Sequence, residues 1–257
     1  MKDKLIEIIK EAGELFKEGY ISSKEVTFKA KKDLVTKYDV AIEEFLKEKF
    51  ALSFPEFSLI AEESDNTNVE FNDSIIIDPI DGTTNFVNGV PHTCISVGVY
   101  KNKQPYLGIV YNPILEQFYM GTVGEGAFLN GKKISVSDDN ELQTSLLSTG
   151  FPYTSGTCEA DLNDVMIKMR NILPNSQDIR RLGSAALDLC YVASGIYEGY
   201  YEMNLKAWDV SAGLIIVQEA GGKITNLDGD AYVLFESKYI VASNGNIHKD
   251  FLSTLNQ

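Results

Sequence analysis

Apolar residues recur every three or four positions early in the chain, at Leu5, Ile8, Ile9, Ala12, Leu15 and Phe16. That spacing predicts an amphipathic helix over residues 4–19, with Gly19 as its stop. Thr36 has the side chain to cap a second helix, whose apolar side is expected from Val40, Ala41, Phe45, Leu46 and Phe50. The period then shortens. Runs rich in β-branched and aromatic residues predict strands over 58–61, 74–77, 95–100, 106–111 and 117–121. The glycines over 124–131 superficially suggest a nucleotide loop, but their spacing is not Gly-x-Gly-x-x-Gly, and Asn130-Gly131 is a type I′ turn signal, so a hairpin is expected. In the second half, helical patterns over 161–173, 184–193, 209–220 and 247–255 alternate with strands over 200–203, 223–225 and 239–242. Strands interleaved with helices and hairpins predict a layered, partly antiparallel α/β fold. A boundary near Ser145 would divide the chain, but residues 1–257 are expected to fold as one unit, with no repeat or linker.

Composition narrows the function classes. Hydrophobic content of 44% and charged content of 23% place the chain among water-soluble globular proteins. The longest apolar runs, such as Leu214-Ile215-Ile216-Val217, are far too short to span a bilayer. The first residues, Met1-Lys2-Asp3-Lys4-Leu5-Ile6-Glu7, carry acids where a signal peptide has its apolar stretch, so the cytoplasm is the expected setting. Cys94, Cys158 and Cys190 are odd in number and widely spaced, which excludes a disulfide framework or zinc module; Cys94 and Cys190 read as buried, inert thiols. With only His92 and His248, neither a histidine metal centre nor a Ser-His-Asp triad can be assembled, and His92, after Pro91, is expected in a packing or surface role. A net charge of −14 argues against a general nucleic-acid or anionic-membrane binder.

One segment concentrates chemistry: Asp78-Pro79-Ile80-Asp81-Gly82-Thr83-Thr84-Asn85-Phe86. The run Ile75-Ile76-Ile77 predicts a buried strand ending at Asp78, and a residue before proline is held extended. Asp81 follows after a turn, close enough for both carboxylates to share a cation. Gly82 lets backbone approach a ligand, and Thr83 and Thr84 bring hydroxyls and free N–H groups at a helix start. Two acids for a hard cation beside donors for an anion suit metal-assisted phosphoryl chemistry. Taken alone, Asp-Pro and Asp-Gly equally well mark turns. Further acids stand at element ends. Glu62 and Glu63 follow a strand, where only one of two neighbours can face a given site. Asp33 and Asp39 flank a helix start, and Asp209 stands at another; each also suits simple capping or dipole compensation.

Together these segments resemble the inositol monophosphatase superfamily of magnesium-dependent, lithium-sensitive phosphatases. The resemblance is carried, in order along the chain, by Asp33-Leu34-Val35-Thr36 with Asp39, Glu62-Glu63-Ser64, the Asp78 to Phe86 motif, Gly183-Ser184-Ala185-Ala186, Tyr201-Glu202, Trp208-Asp209 with Ala212-Gly213, and Glu219-Ala220-Gly221-Gly222. It implies an αβαβα sandwich, a homodimer, and two or three Mg²⁺ ions. By position, Glu62, Asp78 and the Ile80 carbonyl would hold one ion; Asp78, Asp81 and Asp209 a second; and a third would sit near Glu62. Gly82 and Thr83 would offer N–H groups to phosphate, Thr83 with Asp39 would take the proton of attacking water, and Ala185 and Glu202 would contact substrate hydroxyls. Bound cations would also reconcile so acidic a chain with an anionic substrate.

The implied activity is hydrolysis of inositol 1-phosphate or a similar small polyol phosphate. Fructose 1,6-bisphosphate, NADP and 3′-phosphoadenosine 5′-phosphate stay open as alternatives, although Thr84-Asn85 stands where phosphoadenosine phosphatases carry Lys-Glu. A regulatory module binding protein or RNA is the alternative of another class, opposed by the complete acid set. Lys206 departs from the family pattern, and reads either as a solvated lysine or as an attractor for a second anionic group. Lys29, Lys31 and Lys32 read as a solvated loop.

Overall fold

The computed structural model describes residues 1–22, 26–30 and 33–257, with 26–30, 33 and 34 described by backbone alone. The chain opens with α1 (Lys2–Ile21), a hairpin of β1 (Val26–Ala30) and β2 (Asp33–Thr36), and α2 (Lys37–Ser53). Then come β3 (Ser58–Ala61), β4 (Ser74–Asp81), the short α3 (Thr83–Asn88), β5 (Cys94–Lys101), β6 (Gln104–Asn112), β7 (Gln117–Thr122), β8 (Gly126–Leu129) and β9 (Lys132–Ile134). The second half runs β10 (Leu146–Thr149), α4 (Glu159–Ile172), β11 (Asp178–Arg180), α5 (Ala185–Ala193), β12 (Gly199–Met203), α6 (Ala207–Glu219), β13 (Lys223–Thr225), β14 (Tyr239–Ser243) and α7 (His248–Leu255).

Strands β3 to β9 form a sheet in chain order, antiparallel except for the β3–β4 pair. A second sheet has the order β11-β10-β12-β14-β13. Alternation along β4 explains how the first sheet is covered on both faces: Ile75 and Ile77 point into one core and Ile76 into another. On one side α1 and α2 bring Leu5, Ile8, Phe16, Ile42 and Leu46 onto Ile75, Val97 and Ile109. Between the sheets, α5 and α6 bury Leu187, Val210 and Ile216 against Val110 and Tyr119 of one and Tyr200 and Ile240 of the other. Outside the second sheet, α4 and α7 pack Val165, Phe251 and Leu255 on Leu147, Tyr201 and Val241. The layers are α, β, α, β, α, as the resemblance implied.

A row of glycines sets how closely α6 lies on the first sheet. Gly98, Gly108 and Gly121 are direct cross-strand neighbours on β5, β6 and β7. A Cβ added to them would stand 2.5 Å from Ser211 Oγ, 2.4 Å from the Ala212 carbonyl oxygen and 2.9 Å from Ile216 Cα. The helix therefore rests on bare backbone, with Asp209 fixed in its first turn.

Several expectations need correction. Helix α1 continues past Gly19 to Ile21; Gly19 is instead a close-packing point, since a Cβ there would lie 2.6 Å from the Tyr38 ring. Helix α2 does not turn Val40 and Ala41 inward. Both are exposed, and the buried face is Asp39, Ile42, Glu43, Leu46 and Phe50. Strand β4 does not end at Asp78 but reaches Asp81, with its pairing to β5 irregular between those two residues, where Pro79 is accommodated. Asp33 lies in β2 rather than at a helix start. Lys29 lies in β1 rather than in a loop; its side chain, that of Asp33, and Lys31 and Lys32 fall outside what is described. No described helix is long and apolar enough to cross a membrane.

Candidate active site

The end of β4, the turn after β3, and the starts of α3, α5 and α6 meet at one cleft of about 400 Å³. Glu62, Asp78, Ile80, Asp81, Gly82, Thr83, Ala185, Glu202 and Asp209 all line it, so the metal-ligating and substrate-binding set expected from the sequence is brought together. Each acid is held by its own element. The Asp78 Oδ1 accepts from the Ile80 N–H at 3.0 Å. Ser184, which caps α5, donates its hydroxyl to Asp81 Oδ2 at 2.6 Å, and the Ala186 N–H donates to the same oxygen at 2.8 Å. Asp209 Oδ2 accepts from the Lys206 N–H at 2.6 Å, whereas its Oδ1 is buried without a partner among the described residues. Glu62 shares a hydrogen bond with Asp78. The turn carrying Glu62 is pinned by buried Glu43, which accepts from the Glu63 N–H at 2.7 Å and from the Ser64 hydroxyl at 2.5 Å. Glu63 does not line the cleft, in keeping with the strand-end alternation.

The electrostatics of this cluster are unfavourable without a cation. Burial, then the charges of Glu62, Asp81 and Asp209, hold the Asp78 carboxyl well above the ordinary carboxylate range. Burial with Glu62 and Asp81 does the same to Asp209. Asp81 rises less far, because Ser184 and Ala186 donate to it. Among the described residues no three acid, histidine or cysteine side chains are yet drawn together as a closed metal cage. Mg²⁺ is a hard cation that takes oxygen ligands and keeps several of its waters. An all-oxygen donor set, mutual repulsion and an unpartnered buried oxygen on Asp209 all fit such an ion.

Beside the acids stand the groups for the rest of the chemistry. Gly82 adopts a left-handed φ of 84°, and a Cβ there would meet the Gly183 and His92 carbonyl oxygens at 3.1 Å, so only glycine brings the backbone this close. The Thr83 hydroxyl lies 3.2 Å from Asp39 Oδ1 and 3.0 Å from the Ile80 carbonyl, either of which it can donate to. Asp39 is itself locked in a capping box, its Oδ2 accepting from the Thr36 N–H and hydroxyl at 2.8 and 2.6 Å. Burial raises the Asp39 carboxyl, offset by the Thr36 and Thr83 donors. Glu202, on β12, is pushed by burial up to about 8 and accepts from the Tyr200 hydroxyl at 2.6 Å.

Four contributors have no role assigned to them by the sequence. Asn85 donates to the His92 and Leu182 carbonyls at 2.7 Å, tying the motif to the loop before α5. Ser184, quoted only as part of the Gly183-Ser184-Ala185-Ala186 motif, and Glu43 position acids, a role their local pattern does not assign. Arg181 is the fourth: it lines the cleft, while Lys206 does not. The Lys206 side chain is exposed, and its part in the site is the backbone N–H given to Asp209. His92 is buried, its Nε2 3.3 Å from Asp188 Oδ1, so it packs rather than sits on the surface.

The whole of residues 1–257 matches the inositol monophosphatase family. The chain belongs to that family. It is 38% identical to "Inositol monophosphatase 3" of Solanum lycopersicum, over 99% of this chain and 96% of that one. It is 37% identical to "Nus factor SuhB" of Pasteurella multocida, over 97% and 93%. Among solved structures, the extragenic suppressor protein suhB of Bartonella henselae superposes with a TM-score of 0.91 at 31% identity, covering 100% of this chain and 98% of that one. An IMPase/NADP phosphatase complexed with NADP and Ca²⁺ superposes at 0.88 with 27% identity, covering 99% and 94%. Members of the family are phosphatases, and this inositol monophosphatase family member is a phosphoric monoester hydrolase.

Proposed function

We propose that the chain is a Mg²⁺-dependent phosphomonoesterase that hydrolyses inositol 1-phosphate or a similar small polyol or sugar phosphate. The observation that carries this reading is the convergence of Glu62, Asp78, Asp81 and Asp209 on one cleft, with an Asp209 oxygen buried and unpartnered. Glu62, Asp78 and the Ile80 carbonyl would hold one ion, Asp78, Asp81 and Asp209 a second, and a third would lie near Glu62. Bound there, Mg²⁺ supplies the positive charge that admits a phosphate and acidifies water. Gly82 and Thr83 present backbone N–H groups to the phosphate oxygens at the start of α3. Thr83 takes the proton of the attacking water and passes one to Asp39, whose raised carboxyl receives it readily. The water oxygen bonds to phosphorus as the ester bond breaks, the leaving oxygen takes a proton from solvent water to depart as the alcohol, and Asp39 returns its own proton to solvent. Glu202, able to donate or accept near neutrality, meets substrate hydroxyls beside Ala185.

The reading carries the cytoplasmic setting and homodimer that the resemblance implies, and one folded unit, which the cleft's residues from both sheets support. A regulatory module draws support from the name of the SuhB relative alone; a cluster this costly to keep without a ligand favours catalysis. Phosphate release is to be measured from inositol 1-phosphate, glycerol 2-phosphate and 3′-phosphoadenosine 5′-phosphate, each with Mg²⁺, with chelator and with lithium. Chelator-sensitive, lithium-inhibited release from the polyol phosphates is expected, and Asp209→Asn should remove about 99% of it, a loss in the range seen when an outer or inner metal partner goes. Absence of Mg²⁺-dependent release from every ester would overturn the proposal.

A further inference from the structure

One wall of the cleft is the stretch 151–155, which leads from β10 towards α4 and enters a short 3₁₀ turn, Tyr153–Gly156. Phe151, Pro152, Tyr153 and Ser155 line the cleft, and Thr154 between them does not. The wall reaches the acids: the charge of Asp209, then burial and Glu62, hold the Tyr153 phenol well above its ordinary range. At its start the Phe151 ring meets Arg181, whose guanidinium carbon lies 5.0 Å from the ring centre. Within the turn the Ser155 N–H donates to the Pro152 carbonyl and the Cys158 N–H to the Thr154 carbonyl, both at 2.8 Å. Such local bonds fix the shape of the turn but not its place against the rest of the cleft.

That place is set through Thr154. Its hydroxyl donates to Asp161 Oδ2, in the first turn of α4, at 2.7 Å. The same carboxylate oxygen accepts from Asn204 Nδ2 at 2.9 Å. Asn204 belongs to the connection from β12 to α6, where it takes a left-handed φ of 58° and gives its N–H to the Lys238 carbonyl at 2.8 Å. The next two residues serve the site, Leu205 by lining the cleft and Lys206 by the N–H that holds Asp209. The other oxygen of Asp161, Oδ1, lies 3.2 Å from Lys238 Nζ. The Thr154 hydroxyl, with Lys238 beside it, holds the Asp161 carboxyl below the ordinary carboxylate range, so it stays an acceptor near neutrality. An acid placed only to offset a helix dipole has no need of donors from two other segments. A carboxylate outside the cleft thus ties together two segments that line it.

We propose that Asp161 is a positioning residue for the hydrolysis: it fixes the wall at 151–155 at a set distance from the start of α6, so that a small phosphate ester is gripped between them. This rests on the phosphomonoesterase reading above and adds to it a residue that acts on the substrate only through Thr154 and Asn204.

Hydrolysis of inositol 1-phosphate at saturating Mg²⁺ tests it. Thr154→Val keeps the shape of the side chain but removes the donor, and Asp161→Ala removes the shared acceptor. Each should raise KM by about tenfold, the scale of one hydrogen bond to a charged group, with kcat within about twofold of wild type. Asn204→Gly keeps the left-handed backbone without the amide and should raise KM in the same way. Thr154→Ser restores the hydroxyl and with it the wild-type KM. Because these side chains meet at one oxygen, Thr154→Val combined with Asp161→Ala should be no worse than Asp161→Ala alone. Thr154→Val, the milder change, carries the test should Asp161→Ala not fold. A wild-type KM in Thr154→Val would overturn the positioning role even if Tm fell, as would a KM in Thr154→Ser raised as far as in Thr154→Val. Phosphate release by the wild type with these variants unaltered rejects the positioning role alone. No release by the wild type from any ester rejects the underlying reading, and the positioning role with it.

Discussion

At the scale of single residues, the site depends as much on side chains that are missing as on those present. Gly150, just after β10, is buried, and a Cβ built on it would lie 1.9 Å from Glu202 Oε2 and 2.1 Å from Cδ. Tyr200 donates to that same oxygen, so the Glu202 carboxyl is held between a hydrogen bond and the bare backbone of Gly150. Gly150→Ala should therefore displace that carboxyl into the cleft, raising KM for inositol 1-phosphate several-fold while costing about 1–3 kcal/mol of stability as overpacking. Shortening the acid should relieve the clash, so the double variant Gly150→Ala with Glu202→Asp is expected to recover stability lost in the single one. A single variant with wild-type KM and melting temperature would mean that Glu202 is not fixed by residue 150.

Among the secondary-structure elements, α2 does two jobs from one face. Asp39 and Glu43, one turn apart and both buried, reach respectively to Thr83 and to the turn that carries Glu62. Glu43→Gln keeps shape but removes one acceptor, leaving either the Glu63 N–H or the Ser64 hydroxyl weakly served. Mg²⁺ affinity, followed by Trp208 fluorescence or calorimetry, should weaken by about tenfold with little change in the helix content. Unchanged affinity would show that Glu62 needs no such support. This double duty also explains where reading the sequence failed. An amphipathic pattern assumes that apolar residues face the core, so Val40 and Ala41 are expected inward, and it gives no sign that Glu43 is buried. Helix α2 reverses the rule because its inner face serves a site. The motif from Asp78 to Phe86, the acids at 62 and 209 and the hairpin at Asn130-Gly131 were legible because each leaves a local signature. Arg181, Ser184 and Glu43 act through partners distant in sequence, and β10, β11 and the β1–β2 hairpin are strands of three to five residues, too short for period to speak.

For the molecule as a whole, the carboxylate cluster couples folding to pH and to metal. Burial and repulsion raise Asp78 and Asp209 above their unfolded values, so the metal-free folded protein binds more protons than the unfolded chain above about pH 4. Its stability should accordingly fall as pH climbs from there towards neutrality. Mg²⁺ offsets this repulsion, and its effect should grow in the same direction. The rise in Tm on adding Mg²⁺ is thus expected to be larger at about pH 7.5 than at about pH 5. A rise of equal size at both values would detach the ion from these carboxylates.

The glycine row beneath α6 has a consequence for engineering. A contact made by omission has no room for improvement: at residues 98, 108 and 121 every replacement adds bulk where the Ser211 side chain or the backbone of α6 already stands. The usual routes to a hardier enzyme, replacing glycine by alanine or filling gaps in a core, must stop at this row. Variants selected for heat resistance should accumulate changes on the outer helices and turns, and leave these three positions untouched.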